Sequence, residues 1–152
     1  MSTRAMYTFR ANQEEYHVYK HCDGYPSGAA ANIAAALPWA WNLPRFEPDQ
    51  FAAAFVAGCV TDKTINGGKK PNAENKGGDL RLMPSGNWRD IAPGDLAYRY
   101  EITEFDGEIM VHAYAVDSGP WDAPKMEWTE THLFSGTLAK FTAWAKADRE
   151  AA

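Results

Sequence analysis

An alternating run joined by an Asp-Gly pair to a second predicted strand constrains the fold of this chain more than any other feature. Residues 96–103 alternate apolar and polar side chains, and residues 109–116 follow as a partner strand after Asp106 and Gly107. A period of two residues is typical of a β-strand with one buried face, and Asp-Gly favours the two-residue turn of a hairpin. The pattern therefore predicts two antiparallel strands, with the apolar positions of the first run on the buried face.

Further patterns predict both strands and helices around this hairpin. Strands are expected in residues 6–9 and 16–21, which are rich in Tyr, Val and Phe, and in residues 80–83 and 125–133. Helices are expected at an alanine-rich run, after an acidic start that contains proline, and after a serine placed to cap the last helix: residues 28–37, from 47–50 onwards, and after Ser135. This order lacks the βαβ alternation of a parallel sheet. We therefore predict one α+β domain over residues 1–152, an antiparallel sheet of five or six strands with two or three helices packed on one face.

Composition limits the kinds of partner that the chain can have. The 152 residues carry a formal net charge of −5, whereas general binding to duplex nucleic acid depends on clustered Lys and Arg. The longest apolar run, residues 51–60, is too short to cross a bilayer, and the first residues lack the apolar core of a signal peptide. Cys22 and Cys59 do not have the spacing of a metal-binding pair. We expect a cytoplasmic protein that binds neither duplex nucleic acid nor membrane, with both thiols reduced.

The segment from Tyr19 to Gly28 is the most informative candidate site. It joins a predicted strand to a predicted helix, where free backbone N–H groups and the helix dipole favour anions. A lysine, a histidine and an aromatic ring could add to such a site. The candidate ligand-binding residues are Lys20, His21, Asp23, Gly24, Tyr25 and Ser27. The alternative is a structural turn in which the aspartate caps the loop and the glycine adopts positive φ.

A glycine-bracketed polar segment, residues 66–78, offers a second candidate anion site. It shows no hydrophobic periodicity, and long loops of this kind are either flexible or functional. Its lysines make it locally basic within an acidic chain, an asparagine could read the edge of a base, and arginines further along could form bidentate contacts with phosphate. The candidate ligand-binding residues here are Lys69, Lys70, Asn72, Arg81 and Arg99. The alternative is a solvated flexible loop.

The remaining chemistry-bearing residues do not form a catalytic or metal-binding pattern. His17 and His21 are four positions apart, but on a strand that spacing separates them by about 13 Å. His112 and His132 lie on different predicted strands and belong to no metal motif. Cys22 stands beside His21, yet neighbouring residues of a strand point to opposite faces. We predict no catalytic residue, no metal ligand and no cofactor.

Residues 19–28 resemble the Tyr-(Lys/Arg)-His-x-Asp-Gly-Tyr-Pro-x-Gly signature of a group of small, uncharacterised phage and prophage proteins. In that group an alanine- or leucine-rich helix follows, as in residues 29–37, and a Gly-Asp-x-x-Tyr-x-Tyr strand lies further along, as in residues 94–100. The resemblance covers about half of the chain. It implies a viral or mobile-element origin and carries no enzymatic activity with it.

Three functions remain open at this stage. The first is a binding protein that sequesters a small anionic ligand, such as a nucleotide signal of host immunity, in an anti-defence role. The second is an inhibitor that binds a host defence protein directly. The third is a nucleotide hydrolase that uses His21, Asp23 or Cys22. The six Trp, seven Tyr and seven Phe residues suit stacking with a base and equally the interface of a homo-oligomer.

Overall fold

The computed structural model describes residues 3–61, 80–83, 86–92, 95–119 and 124–151, and the backbone alone for residues 148–151. The predicted loop 66–78 lies outside these ranges. The strands in them are β1 (Ala5–Ala11), β2 (Glu14–Lys20), β3 (Leu80–Met83), β4 (Tyr98–Phe105), β5 (Glu108–Asp117) and β6 (Thr129–Thr137). The helices are α1 (Pro26–Ala36), α2 (Pro48–Thr61), α3 (Trp88–Ile91) and α4 (Leu138–Ala151), with 3₁₀ turns at Leu37–Trp39 and Lys125–Glu127. No helix in the described ranges combines the length and the apolar character that a membrane span requires.

The six strands form one sheet in the order β3-β2-β1-β4-β5-β6. Every neighbouring pair is antiparallel except β1 and β4, which run parallel with Tyr7 opposite Tyr100. The predicted α+β class is confirmed, and the expectation of a purely antiparallel sheet is corrected at this central pair. Parallel neighbours need a long crossover between them, and here the chain passes through β2, α1, α2, β3 and α3 between β1 and β4.

Three helices cover one face of the sheet and enclose the main core. Helix α1 packs against both α2 and α4, and α2 and α4 pack against the strands. Tyr7 and Phe9 of β1 contact Phe55 of α2 with ring-centre distances of 4.5 and 5.4 Å. Tyr100 of β4 meets Phe141 of α4 at 5.9 Å. The expectation that the helices pack on one face is therefore confirmed for these three.

A smaller apolar cluster covers part of the opposite face of the sheet, which we call the second face. It contains Met6 and Tyr19 from the sheet together with Trp88, Leu96 and Trp128. Neighbouring residues of a strand point to opposite sides, so Met6 faces away from the helices that cover Tyr7. Helix α3, which no sequence pattern predicted, brings the Trp88 ring to 6.4 Å from that of Trp128.

The end of the chain differs from the sequence-based prediction at two boundaries. Residues 125–127 form a 3₁₀ turn, and the strand expected there begins at Thr129. Ser135, expected to cap the last helix, lies inside β6. Thr137 takes the capping position, since its hydroxyl accepts a hydrogen bond from the backbone N–H of Lys140 at 3.2 Å. Both residues carry the hydroxyl that a helix N-cap prefers, so the residue type could not distinguish them.

The Asp-Gly hairpin forms as predicted. Asp106 and Gly107 adopt positive φ, 52° and 79°, as the type I′ turn requires at both central residues. Strands β4 and β5 then pair without a break from Phe105–Glu108 to Tyr98–Ala115.

Candidate functional site

The loop between β2 and α1 is a tightly anchored turn. The backbone N–H of Gly24 donates to the Thr3 carbonyl at 2.9 Å, and the Tyr100 hydroxyl donates to the Gly24 carbonyl at 2.6 Å. A Cβ at position 24 would lie 2.7 Å from the Cβ of Ala5, so the close approach requires glycine. The positive φ expected at this glycine falls instead on Asp23, at 58°, a conformation that aspartate tolerates.

Tyr25, Ser27 and Gly28 form the start of α1. Tyr25 directly precedes the helix, and its side chain is 38% exposed and makes no capping hydrogen bond. Ser27 is half-buried in the first turn. A Cβ at Gly28 would collide with the carbonyl oxygen of Asp23, so the first turn of the helix packs directly on the loop. The loop and the helix start therefore form one packed unit.

Lys20 points into the protein rather than toward solvent. The residue is fully buried, and its Nζ donates to the Cys22 carbonyl at 2.8 Å. Lys20 pairs with Ala5 of β1, whose side chain belongs to the helix-covered core. Tyr19, the residue before it, faces the other side and contacts His21. Alternation along β2 therefore separates Lys20 from His21, which the sequence placed in one candidate site.

A group of charged and polar side chains lies where β1, β2 and β3 meet on the second face. We call it the arginine cluster: Arg4, Tyr19, His21, Arg81 and Asp95. The Tyr19 hydroxyl lies 3.0 Å from Nδ1 of His21, and Nε of Arg4 donates to the same nitrogen at 3.4 Å. Arg4 also forms an ion pair with Asp95. The Arg81 guanidinium lies 5.9 Å from the centre of the Tyr19 ring. Two guanidinium groups and an imidazole thus surround one aromatic ring.

Positive charge predominates in the arginine cluster. Asp95 is its one carboxylate, and within the ranges that the structure describes Arg81 forms no ion pair. Burial raises the pKa of Tyr19 above its ordinary value, and the charges of Arg4 and Arg81 act against that rise. Tyr19 therefore remains a neutral hydroxyl beside the two cations.

Arg99 lies elsewhere on the second face, and its charge is already paired. Its Nε and Nη2 donate to the two carboxylate oxygens of Glu130 at 3.0 and 3.2 Å, and its Nη1 donates to Glu101 at 2.6 Å. The guanidinium lies 4.5 Å from the ring centre of Tyr114 and 5.0 Å from that of Trp88. Burial alone would lower the pKa of Arg99, but the hydrogen bonds to Glu130 and Glu101 outweigh it and raise the pKa. Two carboxylates therefore occupy the donors that a phosphate would need.

A line of polar side chains crosses the second face from β2 to β6, and we call it the polar row: His17, Thr8, Glu101, His112 and Ser135. The strand register places these residues side by side on neighbouring strands. Nδ1 of His17 lies 2.8 Å from the Thr8 hydroxyl, and Nδ1 of His112 lies 2.8 Å from the Ser135 hydroxyl. Burial lowers the pKa of both His17 and His112 from 6.5. Both imidazoles are therefore neutral at pH 7.

The structure brings two of the sequence-predicted ligand residues together, keeps four beside them and separates two others. His21 and Arg81 meet in the arginine cluster. Four predicted residues build the adjoining turn and helix start: Asp23, Gly24, Tyr25 and Ser27. Lys20 is directed to the opposite side of the sheet, and Arg99 is held in its own ion-pair network. Three predicted residues, Lys69, Lys70 and Asn72, lie outside the described residues.

Sequence reasoning did not single out Arg4 or Asp95. Arg4 is two positions before Met6, so alternation along β1 could have placed it on the second face. Asp95 belongs to the Gly-Asp pair before β4, which was noted only as part of a resemblance. No sequence pattern indicated that β3, with Arg81, would pair beside β2.

The described part of the chain contains no group of three or more His, Cys, Asp or Glu side chains that could hold a metal ion. The chain matches no family model, and it shows no significant similarity to any curated protein or solved structure. The geometry of the second face is therefore the basis for assigning a function.

Proposed function

We propose that the protein binds a small anionic ligand of the nucleotide class at the arginine cluster. The observation that carries this proposal is the convergence of Arg4, His21 and Arg81 beside a single carboxylate, that of Asp95. The whole chain has a net charge of −5, so a local excess of cationic groups is unusual in it. Planar guanidinium groups bind phosphate and carboxylate through two parallel hydrogen bonds.

The members of the cluster contribute different donors to this site. Arg81 is exposed, and its guanidinium can make a two-point contact with a phosphate. Arg4 can only donate, so Nδ1 of His21 accepts its hydrogen bond and the ring carries a hydrogen on Nε2. That N–H is a second donor for the ligand. Asp95 holds Arg4 in place through their ion pair.

The nucleotide class and the role of sequestration rest on features outside the cluster. The resemblance of residues 19–28 to phage and prophage proteins supports a nucleotide signal of host immunity as the ligand. Tyr25 offers an exposed ring on which a base could stack, a contact that contributes about 1–3 kcal/mol. Direct inhibition of a host defence protein and hydrolysis of a nucleotide are the alternatives that an experiment must separate from sequestration.

Calorimetric titration with ADP, inorganic pyrophosphate and a cyclic dinucleotide tests the proposal. We expect R81Q to weaken binding at least about tenfold, because a hydrogen bond to a charged group contributes about 1.5–3 kcal/mol. The matched control is R45Q. Arg45 is also exposed and also lies over an aromatic ring, that of Trp41 at 3.6 Å, but it pairs with Glu47 away from the cluster.

The outcomes distinguish the three functions. Recovery of the bound nucleotide unchanged after incubation and heat denaturation supports sequestration, whereas recovery of a converted nucleotide replaces sequestration with hydrolysis. A wild-type protein that binds none of the three compounds contradicts the proposal and favours a protein partner. Equal losses of affinity in R81Q and R45Q would contradict the placement of the ligand at the arginine cluster.

A further inference from the structure

An irregularity in the pairing of β5 with β6 brings three polar side chains together on the second face. His112 pairs with Ser135 and Tyr114 pairs with His132, with a shift of register between Ala113 and Tyr114. Residues three positions apart on a regular strand point to opposite faces. The extra residue in β6 turns both His132 and Ser135 toward the second face. Bulges commonly re-aim a side chain in this way, and they are frequent next to functional sites.

Two imidazole nitrogens converge on the hydroxyl oxygen of Ser135. Nδ1 of His112 lies 2.8 Å and Nε2 of His132 lies 2.7 Å from Ser135 Oγ. A hydroxyl has one hydrogen to donate, so one imidazole accepts it and the other donates its own N–H to the oxygen. Both ring nitrogens therefore point into the same small volume, and the hydroxyl oxygen of Ser135 lies within hydrogen-bond distance of each.

We propose that His112, His132 and Ser135 bind a divalent transition-metal ion, with Zn²⁺ as the representative ion. Zn²⁺ binds imidazole nitrogen at about 2.0–2.1 Å and prefers four ligands, and imidazole is a ligand that suits Zn²⁺, Cu²⁺ and Ni²⁺. The two nitrogens supply two ligands, the Ser135 oxygen supplies a third, and water fills the remaining position. The set contains two side chains of the His, Cys, Asp and Glu type. It is therefore consistent with the absence of a group of three in the described part of the chain. His132 and Ser135 are exposed, so an ion can enter from solvent.

The surroundings of His112 and His132 suit metal ligands. Burial lowers the pKa of His112; Glu101 of β4 acts to raise it, and Arg10 of β1 and His132 of β6 act to lower it. A neutral imidazole is the form that binds a metal ion. Glu101 is the cross-strand neighbour of His112 and places a negative charge near the proposed ion, while its two oxygens pair with Arg99 and Arg10. The His132 ring meets Tyr114 edge-on at 5.5 Å, which restricts its rotation.

Calorimetric titration of the untagged, metal-free protein with Zn²⁺ tests this site. The protein carries C22S throughout, because the half-exposed thiol of Cys22 is an independent zinc ligand. We expect one equivalent to bind. H112Q and H132Q should each weaken binding at least about tenfold, because loss of a residue that only hydrogen-bonds to a metal ligand already lowers metal affinity by about 10–100-fold. The matched control, T131Q, places the same glutamine at the neighbouring exposed position of β6 and is expected to keep the affinity.

A second measurement needs no substitution in the site. In NMR spectra of the same protein, one equivalent of Zn²⁺ should shift the ring resonances of His112 and His132 and leave those of His17 unchanged. The proposal is overturned if the wild type takes up no zinc, if H112Q and H132Q bind it as tightly as T131Q, or if the two rings do not respond. The site shares no residue with the arginine cluster, so R81Q should bind zinc normally, whatever the outcome of the nucleotide titrations.

Discussion

Tyr100 connects the main core to the loop that precedes α1. Its ring stacks with that of Tyr7 at 5.2 Å and meets Phe141 edge-on at 5.9 Å. Its hydroxyl donates to the buried carbonyl of Gly24 at 2.6 Å. Burial raises the pKa of Tyr100 well above its ordinary value of 10.0, so the hydroxyl keeps the hydrogen that this bond requires. One side chain thus couples the packing of the sheet to the turn beside the arginine cluster.

Removing the Tyr100 hydroxyl measures how much its hydrogen bond to the Gly24 carbonyl contributes to stability. We expect Y100F to lower the free energy of unfolding by about 1–3 kcal/mol, because the Gly24 carbonyl loses its donor while it stays buried. Urea unfolding of the two proteins gives the difference. Y98F is the matched control, since Tyr98 is half-buried on the same face of β4, and it should change stability by less than about 0.5 kcal/mol. Equal losses in the two variants would contradict the role given to the hydrogen bond.

At the scale of elements, α1 and α2 pack closely because both present small residues at their contact. A Cβ at Gly58 of α2 would collide with the carbonyl oxygen of Ala35 in α1. Cys59, the next residue of α2, is 1% exposed. Its thiol lies 3.7 Å from Oδ1 of Asn32, which is also buried in α1. The alanine-rich composition of α1 therefore determines how near the second helix can lie.

The sign of the change in stability caused by G58A shows whether packing or helix propensity dominates at this position. In an unconstrained helix, alanine in place of glycine stabilises by about 0.5–1 kcal/mol. At the α1–α2 contact we expect G58A to destabilise the protein by about 1–3 kcal/mol, because the added methyl group forces the helices apart. The control A53G lies on the exposed side of α2 and should cost about 1 kcal/mol through propensity alone. A G58A protein more stable than wild type in urea unfolding would show that the contact is looser than described.

At the scale of the whole molecule, the sheet divides two apolar clusters, and the buried residues Thr8, His17 and Arg99 lie on the side of the smaller one. His17 is 2% exposed. Its Nε2 donates to the Gly86 carbonyl at 3.0 Å, and its Nδ1 accepts from the Thr8 hydroxyl at 2.8 Å. The neutral imidazole with its hydrogen on Nε2 makes both bonds. Burial is the main cause that lowers the pKa of His17, and Arg99 adds to it, while Glu15, Glu101 and the bond to Gly86 act in the opposite direction.

This lowered pKa makes the stability of the molecule depend on pH. Below pH 6.5 the unfolded chain protonates His17 more readily than the folded protein does, so the free energy of unfolding falls as the pH drops toward the folded-state pKa. Urea unfolding across this window should show a smaller slope in H17N than in wild type. A residual slope is expected because the pKa of His112 is lowered as well. An identical slope in H17N would contradict the assignment of this pH dependence to His17.

The sequence alone determines the local elements of this protein, because these depend on residues close together in the chain. Alternation and the Asp-Gly turn predicted the β4–β5 hairpin, and the short run 80–83 coincides with β3. The alanine-rich run 28–37 overlaps α1, and the proline-containing start 47–50 coincides with the beginning of α2. For the candidate site, the sequence singled out His21 and Arg81 by residue type. It also grouped Lys20 with His21, since neither composition nor motif records which side of β2 each residue faces.

Only the tertiary structure decides which elements are neighbours. Periodicity reports which side of a strand is buried, and it carries no information about the adjacent strand, so the parallel β1–β4 pair was not predictable. The arginine cluster depends on β3 pairing with β2, and the paired state of Arg99 depends on Glu130, which arrives from β6. The bulge in β6 contradicts strict alternation and places His132 and Ser135 on one face. Long-range pairing and one extra residue, which leave no periodic signal, thus position the side chains proposed to bind ligands.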